Sequence, residues 1–205
     1  MTGSWTIVDY YLNRPISYYY VQRAYAPVLL SFQEGKNGIS VLVVNDYLKK
    51  FSVNLIVRQI DFVKGERRRW EKRLVIDENS SQEVMKIELG KITAKDKMRQ
   101  CLYVEIRIPG KVIADNTYFF EYPRKLILPK VKVLRSYKVV NSNTGILTLK
   151  SDAFAYVVKV SGFREGLSLD NNYFHINPGE EKTVVVRGKN VTLPDLKDLK
   201  IRTLN

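Results

Sequence analysis

The chain has 205 residues, 45% apolar and 27% charged, enough for one large or two small globular domains and unlike a disordered or fibrous chain. No run reaches the eighteen apolar residues of a membrane span, and the first residues lack the basic and apolar blocks of a secretory leader. The expectation is therefore a chain of the cytoplasm with no membrane partner. The net charge of +13 is spread evenly, with 20 basic against 14 acidic residues through Arg124 and 14 against 7 beyond it, so neither half is a basic arm.

In chain order, the first predicted element is a helix over Ile16–Tyr25. Pro15 suits a first helical turn, where a missing N–H costs nothing. Ile16, Tyr19, Tyr20 and Ala24 carry apolar groups at helical spacing, with Gln22 and Arg23 left for water. Pro27 ends the helix, because the residue before a proline is pushed out of the α region. About ten helical residues are marginal alone in water, so this element must dock on something. The choice lies between the domain that follows and another body, and the second choice makes Ile16, Tyr19 and Tyr20 candidate docking residues.

Beyond Pro27 the apolar period changes from helical to alternating. Strands are predicted at Val28–Phe32, Ile39–Val44, Phe51–Phe62, Trp70–Ile76, Val84–Leu89, Cys101–Ile108 and Val112–Tyr122, with turns at Glu34–Gly38, Lys64–Glu66, Asp77–Ser81 and Pro109–Lys111. About seven short strands in some hundred residues, without a long helix, fit an immunoglobulin-like sandwich. Pro123 and Pro129 mark a stiff seam. Strands resume at Val131–Val140, Ile146–Leu149, Phe154–Val160, Tyr173–Ile176, Lys182–Arg187 and Leu199–Leu204, with a turn at Asn177–Glu180. Alternation puts Phe154, Tyr156, Val158, Phe174, Ile176, Val184 and Val186 in the core of this smaller sandwich. The fold class is thus mainly β, two immunoglobulin-like sandwiches after a short N-terminal helix. The domains run 1–26, 27–124 and 125–205.

Chemistry-bearing residues are sparse. His175 is the one histidine and Cys101 the one cysteine, too few ligands for a zinc site, and no glycine-rich phosphate loop is present. No metal or cofactor is expected; Cys101 reads as a small core residue and His175 as a strand residue facing water. The densest charge is Arg67, Arg68, Arg69, Lys72 and Arg73 around Trp70. It suits either phosphate contacts beside a stacking ring or an edge strand guarded by charge, and the guarded edge is favoured. Trp70 is likewise a sugar platform or, by preference, a core tryptophan.

Two stretches resemble a known family. Trp5–Ser31, WTIVDYYLNRPISYYYVQRAYAPVLLS, is similar to the junction in β-mannosidase-like members of glycoside hydrolase family 2, where the end of a (β/α)8 barrel runs into a C-terminal sandwich. There a Ser-Trp-Ser-x-Val-Asp-Tyr-Tyr segment precedes a Pro-x-x-Tyr-Tyr helix, Lys-Arg-Ala and Ala-Pro-Val. Leu169–Val186, LDNNYFHINPGEEKTVVV, is similar to the Ser-Asp-Asn-Tyr-Phe-x-Leu-x-Pro-Gly-Glu stretch of the family's last sandwich, departing from it at Asp170 and Asn171.

The resemblance implies residues 1–26 as the end of a barrel, Asp9 as the anchor of the turn into the helix, and Trp5 near the mouth of a substrate cleft. A retaining glycosidase works with two carboxylates about 5 Å apart. In the resembled enzymes these are glutamates on earlier barrel strands, the acid/base following an asparagine, and this sequence has no Asn-Glu pair. The expectation is a non-catalytic accessory part whose partner is a glycosidase barrel, on the same gene or a separate chain. It would support that barrel, possible contact with β-mannoside carbohydrate falling to Trp5 and Trp70, and alone it would hydrolyse nothing. The alternatives are a freestanding carbohydrate-binding sandwich using Trp70 and, disfavoured by the even charge, a nucleic-acid-binding protein using Arg67–Arg73.

Overall fold

The computed structural model describes residues 7–10, 12–36, 38–88 and 93–205. The chain divides into two compact units. One is formed by Gln22–Asp61 and Glu66–Ile127; the other takes in the N-terminal stretch through Val21, the tip Phe62–Gly65 and Leu128–Asn205. Each is built from two antiparallel sheets, as the alternation predicts, and the short helix α1 (Ile16–Ala24) forms where Pro15 and Pro27 bracket it.

In the first unit the strands are β1 (Val28–Gly35), β2 (Gly38–Asn45), β3 (Phe51–Asp61), β4 (Gly65–Ile76) and β5 (Ser80–Ile87). After a one-turn helix α2 (Ala94–Lys97) come β6 (Gln100–Ile108) and β7 (Lys111–Phe119). One sheet has the order β1-β2-β5 and the other β4-β3-β6-β7. Alternate residues Ile39, Val41 and Val43 of β2 meet Val53, Leu55 and Val57 of β3 and Leu102, Val104 and Ile106 of β6 in the core. Buried Asn45 closes the end of β2: its amide donates to the carbonyls of Lys49 and Asp77 and accepts the Tyr47 N–H.

Gly38, read from sequence as a turn glycine, opens β2 instead. A Cβ there would lie 2.2 Å from the Ile87 carbonyl oxygen, because β2 and β5 approach closely. The obstacle is backbone that cannot swing aside. Gly38→Ala is expected to cost about 1–3 kcal/mol, in the range of overpacking, measured by urea unfolding; a midpoint equal to the parent's would mean that the strands separate freely.

The second unit contains β8 (Val133–Asn141), β9 (Thr144–Ser151), β10 (Ala155–Ser161), β11 (Ser168–Leu169), β12 (Phe174–Ile176), β13 (Glu181–Arg187), helix α3 (Leu193–Lys197) and β14 (Lys200–Arg202). Its sheets run β11-β13-β9-β8 and β12-β10-β14. The core holds Leu147, Leu149, Val158, Val160, Phe174, Ile176, Val184 and Val186.

Tyr156 departs from the sequence expectation. The register between β10 and β12 shifts between Ala155 and Val158, where Val157 takes φ 48°. This bulge turns Ala155 into the core and leaves Tyr156 half-buried. Beyond the bulge, the side chain of Asn172 replaces a partner strand: its Oδ1 accepts the Val160 N–H and its Nδ2 donates to the Val160 carbonyl, both at 2.8 Å.

Helix α3 was not legible as a helix, yet its first turn is a complete capping box. Thr192 accepts from the Asp195 N–H while the Asp195 carboxylate accepts the Thr192 N–H. Arg164 adds Nε to Asp195 at 2.8 Å and donates through Nη2 to the carbonyls of Lys189 and Asn190. The Arg164 hydrogen bond, then the two from Thr192, hold Asp195 down from the usual 3.8 to about 2.

A depressed folded value means stability that is present above the unfolded value and lost as pH falls towards the folded one. Asp195→Asn should therefore melt below the parent at pH 6, and the gap should close between about pH 4 and pH 2. A gap constant down to pH 2 would show that the carboxylate's charge is irrelevant.

Candidate functional site

The segment before α1 is ordered by Asp9. Its carboxylate accepts the Asn13 N–H at 2.8 Å and the Asn13 side-chain amide at 2.9 Å, while the Leu12 N–H donates to the Asp9 carbonyl and Leu12 takes φ 60°. Asp9 thus holds Leu12 and Asn13 just ahead of Pro15.

On α1 itself the three candidate docking residues part ways. Tyr19 is buried, 2% exposed, with its ring 5.1 Å from Tyr18 edge-on and 5.8 Å from Tyr173. Burial lifts its phenol above the usual range, with Arg14 pulling the other way. Tyr19 therefore fastens the helix to the chain's own second sandwich. Ile16 and Tyr20 stay 41% and 46% exposed. Tyr20 stands near Tyr156, whose phenol is raised chiefly by burial and then by Tyr20. Tyr10 and Leu12, ahead of the helix, are more exposed still.

Trp5 lies outside the described residues. Trp70 is half-buried and packs against the core of the first sandwich, as does Leu74. The basic run around it lies along β4, an outermost strand of its sheet. Arg69 reaches Glu66 at 3.2 Å and also Glu71. On the same sheet Arg58 lies 4.8 Å over the Tyr103 ring, and buried Glu105 pairs with Arg107 at 2.9 Å.

His175, expected to face water, is instead half-buried between the rings of Tyr156 and Phe154, at 4.9 and 5.6 Å. Its Nδ1 accepts the Val157 N–H at 3.1 Å, which holds the bulge in place. The strand alternation concealed this role because the bulge lies on a different strand. Cys101 is fully buried and its thiol is pushed well above the ordinary range by desolvation, an inert core group. A cavity of about 350 Å³ opens beside β8, lined by Val131, Val133, Arg135, Ile201 and Thr203. Among the described residues no three His, Cys, Asp or Glu side chains cluster as metal ligands.

What these pieces amount to is settled by comparison with known families. Residues 37–125 match the Mannosidase Ig/CBM-like domain, and residues 128–205 match the Ig-fold domain of the Ig_mannosidase model. The chain is a tandem of mannosidase-type Ig domains. The first family covers β2 through the seam at Pro123, and the second covers the sandwich on which Tyr19 packs.

Along 98% of its length this tandem is 24% identical to beta-mannosidase B of Thermothelomyces thermophilus, and it spans 25% of that protein. The crystal structure of beta-D-mannosidase from Dictyoglomus thermophilum superposes with TM-score 0.89 at 29% identity, over 98% of this chain and 24% of the other. The exo-chitosanase of Amycolatopsis orientalis, at 15% identity and TM-score 0.70 over 97% of this chain, shares the fold. The tandem spans about a quarter of the length of the relatives that it matches.

Proposed function

We propose that this tandem is the non-catalytic accessory part of a β-mannosidase-type glycoside hydrolase, bracing a catalytic barrel supplied by the same gene product or by a separate chain. The observation that carries this reading is the match over 98% of the chain, at TM-score 0.89, to one quarter of a beta-D-mannosidase. The Asp9 turn and the exposed Ile16–Tyr20 ridge support it, since they offer a barrel an ordered lead-in and an apolar contact strip. The packing of Trp70 against the core of its own sandwich weighs against a sugar platform on this chain.

The test is a pull-down from source-cell extract with the 205-residue chain as bait, followed by an assay of the eluate on an aryl β-mannoside. Recovery of a barrel-bearing chain with β-mannosidase activity is the expected result, with no activity in the bait alone. A folded bait that hydrolyses the substrate by itself would overturn the accessory role, and one that binds mannan unaided would put a carbohydrate-binding module in its place.

A further inference from the structure

We infer that the N-terminal half of β4 is an acceptor edge for an extended acidic segment of a partner protein. Among the described residues β4 ends its sheet, with β3 on one flank only. Its C-terminal half is closed by side chains that bridge to β5, Lys72 Nζ to the Val84 carbonyl at 3.2 Å and Gln82 Nε2 to the Val75 carbonyl at 3.5 Å. Among the described residues no such bridge reaches residues 66–70. The stretch from Glu66 to Arg69 is exposed throughout.

The side chains on this edge name the chemistry of the partner. Trp70 and Leu74 lie against the core, so Arg67, Arg69, Glu71 and Arg73 form the opposite row, two residues and about 7 Å apart. Arg69 is held by Glu66 and Glu71. Arg67, Arg68 and Arg73 are exposed and pair with no carboxylate among the described residues.

An added strand with Asp or Glu at every second position sets carboxylates at the spacing of this row, and its backbone takes up the unpaired groups of the edge. A nucleic acid fits less well. The one ring in the run, Trp70, packs against the core instead of joining the exposed row, and Glu71 interrupts that row's positive charge.

The test uses the 205-residue chain and a fluorescent ten-residue peptide alternating Glu with Val and Thr, with anisotropy as readout. Saturable binding is expected, weakening with salt. It should fall at least about tenfold in the Arg67→Gln, Arg73→Gln double variant, which removes the charge-assisted contacts of the row, and by a similar factor when alternate peptide nitrogens are methylated. Both arginines are exposed, so the variant should melt like the parent; if it does not fold, the methylated peptide against the unaltered chain still decides. No saturable binding, equal binding of the methylated peptide, or tighter binding of a ten-nucleotide single-stranded DNA would each overturn the inference.

Discussion

Phe154→Ala is expected to remove about 3–5 kcal/mol from the second unit, the cost of emptying a buried phenyl site that cannot collapse. Phe154 has no exposed surface. Its ring stacks on Phe62 at 4.7 Å and on His175 at 5.6 Å, and its N–H donates to the Phe62 carbonyl at 2.8 Å. Phe62 comes from the tip Phe62–Gly65, so the truncation also removes ring packing on a segment distant in sequence within the same unit. The backbone bond survives in the variant, and the loss measures packing alone. Urea unfolding followed by circular dichroism reads it, and a cost under 1 kcal/mol would show that neighbouring rings fill the space.

Tyr19→Ala should release α1 rather than unfold the sandwich. The helix has nine residues, too few to persist alone, and Tyr19 is its one buried side chain. Removing a buried ring of this size costs about 3 kcal/mol. If that cost falls on the docked helix, amide exchange over residues 16–24 should quicken by about a hundredfold, each 1.4 kcal/mol being tenfold. Exchange in β9 and β13 should stay as in the parent. Unchanged exchange in α1 would mean that Tyr18 and its Arg14 contact, at 4.9 Å, suffice to hold the helix. Under the proposed function the same variant should also weaken capture of a barrel, because the Ile16–Tyr20 ridge is presented only while Tyr19 is seated.

The strand positions were legible because the period-2 pattern of Val, Ile and Leu in segments such as Ile39–Val44 and Val184–Val186 allows one face to be buried and no other. The helix was legible from its bracketing prolines. Tyr156 and His175 were misread for one reason. The bulge at Val157 buries Ala155, Val157 and Val158 and turns Tyr156 aside, and its support comes from a ring on β12 that no local pattern reveals. α3 escaped because five residues are too few for a helical period, although Thr192 and Asp195 carry its cap three residues apart.

The sequence by itself determined the fold class and the resemblance to β-mannosidase-like enzymes, because these rest on local alternation, turn residues and short runs of identity. Only the tertiary structure decided what the two informative aromatics pack against. Tyr19 and Trp70 sit in amphipathic stretches that could present them to a partner or to the core. Burial of a large ring outweighs a local preference for either side, and contacts distant in sequence, Tyr173 for the first and the β-core for the second, hold both rings.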